Sequence, residues 1–90
     1  MAPRTYRIEF TPAADRDFRS LPQDVQRRLG PKIDALVRTP RPHGVETLAG
    51  EENLYRIRVG DYRIVYQIRD KALVIVPVRI RHRRDVYRSI

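Results

Sequence analysis

Apolar residues recur at every second position in four stretches of this chain, and at every third or fourth position in two others. The order of those periods predicts the architecture. "RTYRIEFT" sets Tyr6, Ile8 and Phe10 between Arg7 and Glu9, which predicts a strand. Thr11-Pro12 then supplies an N-cap with proline in the first helical position. Ala14, Phe18 and Leu21 follow at helical spacing, so a helix is expected over about residues 12–20. Pro22 restarts the chain, and Val25, Leu29, Ile33 and Leu36 form an amphipathic stripe to about residue 38. Gly30-Pro31 interrupts that stripe and predicts a kink within one packed element, because proline removes a backbone donor.

"TPRPHGVETLAGEE", residues 39–52, holds two prolines and two glycines among mostly polar residues and is expected to be a long loop. "YRIRVGDYRIVYQIRD" follows, two alternating strands joined at Gly60-Asp61 as a tight hairpin. Tyr55, Ile57, Val59, Tyr62, Ile64, Tyr66 and Ile68 form the apolar face. Arg56, Arg58, Arg63 and Arg69 form the other. After a turn at Asp70-Lys71, "ALVIVPVRIR" is the most apolar run and reads as a central strand. Strict alternation sends Val74, Val76, Val78 and Ile80 one way and Ile75, Pro77, Arg79 and Arg81 the other. Pro77 has no donor for a ladder, which predicts a bulge or a free edge nearby. The tail "HRRDVYRSI" suits a short polar segment or a final helical turn. The whole is an α+β chain of order β-α-α-β-β-β. Residues 1–90 are expected to be a single domain, with two helices on one face of a mainly antiparallel sheet.

Charge sharpens this picture. The net charge is +8 and its placement is uneven. Residues 1–54 hold nine Lys or Arg against eight Asp or Glu, whereas residues 55–90 hold ten against three. The excess therefore lies in the sheet-forming part and points to a polyanion or a strongly acidic protein. Seventeen of the nineteen basic residues are arginine, the better bidentate ligand for phosphate. A genome rich in G and C explains the same bias without any function.

Other chemistries find little support. There is no cysteine, which excludes disulfides and thiolate metal sites. His43 and His82 stand apart with no HExxH pattern, so neither a metal nor a cofactor is expected. No apolar run approaches the roughly 20 residues of a membrane span, and a soluble cytoplasmic chain is expected. What remains is the arginine face beside "RHRRDVY". Such a face can hold a phosphodiester and neutralise charge developing at phosphorus, and RNA carries its own nucleophile in the 2′-hydroxyl. A docking surface without chemistry fits the same residues.

The segments "LPQDVQRRL", "KIDALVRTPRPHGVETLAGEENLYRIRVGDYRIVYQI" and "HRRDVYR" resemble the RelE/ParE toxin superfamily of toxin–antitoxin modules, over residues 6–88. The family's β-α-α-β-β-β order agrees with the periodicity. The resemblance implies a toxin neutralised by a cognate antitoxin. In the RelE-like branch it implies a ribosome-dependent endonuclease acting on mRNA without metal. By motif position, Arg56 and Arg58 fall on the two alternating basic places of the second strand and Arg63 on the third-strand arginine. Arg83 and Tyr87 fall on the C-terminal Arg and Tyr, with Arg81 as the alternative match to Arg83. The best-known pattern has lysines where Arg56 and Arg58 stand. A guanidinium stays protonated, so His82 becomes the expected proton acceptor. A gyrase-binding inhibitor of the ParE type and a decayed toxin kept as a corepressor are the alternatives. An acidic or amphipathic antitoxin is expected to mask the basic face, touching Val65, Ile75 and Pro77.

Overall fold

The computed structural model describes residues 5–48, 50 and 52–84. Strand β1 (Arg7–Ile8) leads to helix α1 (Pro12–Arg19), then helix α2 (Gln23–Asp34) with a 3-10 turn at Ala35–Val37. Strands β2 (Glu46–Thr47), β3 (Leu54–Val59), β4 (Tyr62–Arg69) and β5 (Val74–His82) follow. They form one sheet of order β1-β5-β4-β3-β2, antiparallel except for the β1–β5 pair. The α+β layering read from the sequence therefore holds, with one addition. The predicted loop 39–52 contains the short edge strand β2. The tail after Arg84 lies outside the described residues.

Local chemistry accounts for the elements. Thr11 caps α1, its Oγ accepting from the Ala14 N–H at 3.1 Å, and Pro12 opens the helix. Helix α2 runs through Pro31 as one element. Pro31 and Arg27, whose carbonyl loses its donor, both lie on the exposed side where water can replace the missing bond. Gly60, at φ +59°, takes the first turn position of the β3–β4 hairpin, a conformation that glycine adopts without strain.

Val25, Leu29, Ile33 and Leu36 pack on Ile57, Ile64, Tyr66, Ile68, Ile75 and Ile80. Each such side chain contributes about 1.5–3 kcal/mol when fully buried. Tyr66 is fully buried, donates its hydroxyl to the Pro40 carbonyl at 2.7 Å and stacks on Tyr55. Burial pushes its hydroxyl pKa well above the usual tyrosine value. The expectation that these tyrosines build the core holds for Tyr66.

Pro77 does mark a bulge, and the bulge corrects the facing of β5. Val65 lies opposite Arg79 while Tyr66 lies opposite Pro77, so Val78 is the extra residue. The inserted residue reverses the phase of alternation. Ile75, Pro77 and Ile80 all turn toward the helices, and Pro77 is among the most buried side chains. Ile75 and Pro77 are thus core residues and not part of the arginine face. Val74 and Val76, the register neighbours of Arg69 and Gln67, take that side instead.

β1 covers only the first two residues of β5, which is therefore central over that part alone. Beyond it, α1 closes the free edge. The Thr11 N–H donates to the Pro77 carbonyl and the Thr11 hydroxyl to the Val78 carbonyl, while Asp17 accepts from the Ile80 N–H at 2.9 Å. An edge satisfied in this way offers no template for another strand.

Candidate nucleic-acid interface

The register of the sheet gathers the arginines of three strands. Arg58 on β3 lies opposite Arg63 on β4, which lies opposite Arg81 on β5. Directly opposed residues point to the same face, and neighbouring strands stand about 4.8 Å apart. Three guanidinium groups therefore share one row across the sheet. A second row, two residues along, runs Glu46, Arg56, Val65, Arg79.

The two rows differ in how their charges are met. Arg79 is taken by Asp17 of α1, with Nε–Oδ2 at 3.0 Å, and serves the fold. Arg56 donates from Nη2 to Glu46 Oε2 at 2.9 Å. In the first row, Arg63 reaches only the Tyr62 carbonyl at 3.3 Å, and among the described residues no carboxylate pairs with Arg58, Arg63 or Arg81. The Nε atoms of Arg56 and Arg81 are buried without an acceptor. Like charges set directly opposite one another destabilise a sheet, and a buried donor left unpaired costs about 1–3 kcal/mol. Folding alone gives no reason for such a row. An anion with several acceptor oxygens supplies what it lacks.

Glu46 sits at the margin of this field. Its hydrogen bond to Arg56, and then the charges of Arg56, Arg58 and Arg63, hold its carboxyl below the usual carboxylate range. Beside it, on the helix side of the sheet edge, opens a groove of about 800 Å³ lined by Lys32, Leu36, His43, Glu46, Ile57 and Arg58, among others. Among the described residues no three His, Cys, Asp or Glu gather in a way that would hold a metal ion.

The residues singled out from the sequence divide accordingly. Arg56, Arg58, Arg63 and Arg81 come together. Arg83 stands past the end of β5, held by its backbone N–H on the Asp61 carbonyl, with its side chain exposed and outside the row. Arg81, the alternative match to Arg83, is the one that stands opposite Arg63. His82, expected as the proton acceptor, lies one residue out of phase with Arg81 and pairs with Tyr62. Its ring meets the Tyr62 ring edge-on at 5.2 Å, and its Nδ1 accepts from the Arg84 N–H at 3.3 Å. It thus faces away from the arginine row, a consequence of simple alternation that motif matching overlooks. Tyr87 lies outside the described residues. Glu46 went unnoticed because two residues of strand inside a Pro/Gly-rich loop carry no periodic signal.

A small α+β chain with this sheet order and a basic sheet face has clear relatives. Residues 8–87 match the family described as the ParE toxin of the type II toxin–antitoxin system parDE, and the chain belongs to that family of toxins. It is 34% identical over 88 residues to the toxin RelG of Mycobacterium tuberculosis, covering 92% of this chain and 97% of that one. It is 29% identical over 86 residues to the mRNA interferase toxin RelE of Escherichia coli K12, covering 91% and 90%. Among solved structures it superposes on the archaeal RelE–RelB complex from Pyrococcus horikoshii with a TM-score of 0.77 and 33% identity, over 88% of this chain and 96% of that one. These relatives bear out the RelE/ParE resemblance and the fold.

Proposed function

We propose that this toxin is a ribosome-dependent mRNA endonuclease that works without a metal and is held inactive by a cognate antitoxin. The observation that carries the proposal is the row Arg58, Arg63, Arg81, three cations in register with no carboxylate among the described residues to answer them. Its similarity to an mRNA interferase supports the choice of RNA. In this reading a phosphodiester lies across the row, and the RNA's own 2′-hydroxyl attacks the neighbouring phosphorus. The guanidinium groups, fixed by the sheet before substrate arrives, stabilise the extra negative charge of the phosphorane. Arg56 holds the phosphate from the second row. By motif resemblance, Tyr87 or Arg83 is the candidate to serve the leaving oxygen. His82 is left out of the proton transfer because it faces Tyr62.

The antitoxin is expected to carry acidic residues that cover the row, with the partly exposed Val76 as an apolar part of the contact; Val65, expected there from the sequence, is buried. An acidic protein can satisfy the same unpaired donors as RNA does. The cytoplasm, where translating ribosomes are found, is the matching compartment. No helix among the described residues is long and apolar enough to cross a membrane.

A gyrase-binding toxin is the second reading, favoured by the ParE name of the matching family. Primer extension on mRNA after brief induction separates the two. Cuts confined to translated frames, seen with wild type and absent with Arg63→Ala, support the endonuclease. Intact mRNA accompanied by growth arrest and double-strand DNA breaks overturns it in favour of gyrase.

A further inference from the structure

A row of arginines holds phosphate and reads no base, because phosphate contacts carry no sequence information. The free edge of β3 offers what the row lacks. Strand β2 covers only part of that edge, pairing Glu46 with Arg56 and Thr47 with Tyr55. The bond from the Leu48 N–H to the Leu54 carbonyl sets the phase of the ladder. Leu54 and Arg56 turn their backbone groups toward β2, and the odd-numbered residues between them turn theirs toward β4.

Arg58 is next in that phase, so its N–H and C=O also point outward, past the end of β2. The chain that could have met them turns away. Residues 42–45 close a turn through the Val45 N–H on the Pro42 carbonyl. Gly44 stands there at φ +87°, with nothing within 4 Å of where a Cβ would project. Among the described residues no group takes up the Arg58 N–H or C=O.

We propose that this edge and the groove beside it form a base-reading site, which takes one unstacked nucleobase of the mRNA next to the cut. The proposal rests on the endonuclease reading and adds to it the determinant of where the RNA is cut. The groove, about 800 Å³, lies between the end of α2 and the edge of β3. Leu36 and Ile57, both buried, give it an apolar floor, and Lys32, Thr39 and His43 add polar groups. Such a slot holds a flat ring by its faces and leaves its edge for hydrogen bonds. The Watson–Crick edge of a base sets donor beside acceptor, which the Arg58 C=O and N–H complement.

Arg58 joins the two sites. Its side chain stands in the row and its backbone faces the groove. An RNA strand lying across the row therefore passes from phosphate contact to base contact at one residue. Two observations favour RNA over a peptide as the occupant. Between β2 and the turn at Gly60 only Arg58 turns its backbone outward, whereas an added strand usually runs about 3–10 residues. Lys32 and Arg58 supply positive charge to the groove, and its Glu46 is already taken by Arg56.

The test is single-turnover cleavage on ribosomes programmed with mRNAs that carry each of the four bases at every position of the cut codon. The proteins are full-length wild type, Ala35→Phe and His43→Ala. Ala35 lines the groove from an exposed position, so a phenylalanine there fills the groove without entering the core. With wild type, the best and worst base at one position should differ in rate by about 10–100-fold, the range of one bidentate base contact. Ala35→Phe should narrow that ratio to about threefold or less. His43→Ala, which removes one polar wall, should narrow it by a smaller factor. Both should melt with wild type, since both positions are exposed. Should Ala35→Phe melt early, His43→Ala decides.

A ratio unchanged in both variants overturns the base-reading site, as does a wild type that cuts all four bases alike at every position. An equal loss of rate for every base in Ala35→Phe would make the groove a docking surface for the ribosome, and that also overturns it. No cutting of any message by wild type removes the endonuclease reading and this proposal together.

Discussion

Strand β4 presents two faces built by one alternation, and they are satisfied in different ways. Toward the helices, Ile64, Tyr66 and Ile68 are fully buried, and the buried Tyr66 hydroxyl has its acceptor on Pro40. On the other side, Arg63 stands between Arg58 and Arg81 with, among the described residues, a long bond to the Tyr62 carbonyl and no carboxylate. The first face follows the rules of a folding core. The second breaks them, since like charges are aligned and donors left without acceptors, while a few ångströms away Arg79 shows the alternative, paired to Asp17. Sites where local rules fail without local compensation are where function is expected.

Substituting each side separately sharpens the contrast. The largest effect on cleavage is expected from Arg63→Ala, about 100-fold or more, as for the loss of a preorganised charge in a transition state. Its stability, measured by urea denaturation, should stay within about 1 kcal/mol of wild type, because a like-charge contact is removed along with the side chain. Ile64→Ala, on the opposite face of the same strand, should lose about 2–5 kcal/mol in that measurement. Its cleavage rate per folded molecule should remain that of wild type. If Ile64→Ala lost cleavage while fully folded, the two faces would not be separable.

Asp17→Ala comes next. It strands Arg79 and the Ile80 N–H at the edge of β5, and a loss of about 1–3 kcal/mol is expected with cleavage intact. That outcome would set Arg79 apart from the row it neighbours.

The smallest effect is a titration. The Glu46 carboxyl should titrate below the ordinary carboxylate value in wild type and return toward it in Arg56→Ala, read by NMR. A depressed value means that the stabilisation from this contact is present above the unfolded-state value and lost as the pH falls through the folded one.

Periodicity carried most of the fold. The stripe from Val25 to Leu36 and the alternation of β3 and β4 came through because one face of each is buried, and burial enforces period. β5 was misread at Val78. Proline signals that a bulge is near, but the residue that is inserted depends on pairing with β4, which no local pattern records. That single residue moved Ile75 and Pro77 into the core. The site was half legible. Arg56, Arg58 and Arg63 lie on clean alternation, while the alignment of Arg81 with them appears only in the register across three strands. The chemistry of His82 is visible in the sequence, but its facing toward Tyr62 comes only from the pairing of β4 with β5.

The most direct measurement is cleavage of ribosome-bound mRNA by Arg81→Ala beside Arg83→Ala, both as folded full-length protein. The account predicts that Arg81→Ala loses cleavage while Arg83→Ala keeps most of it, because only Arg81 stands in register with Arg58 and Arg63. Cleavage lost with Arg83→Ala and retained with Arg81→Ala would contradict the arginine row as the place where RNA is cut.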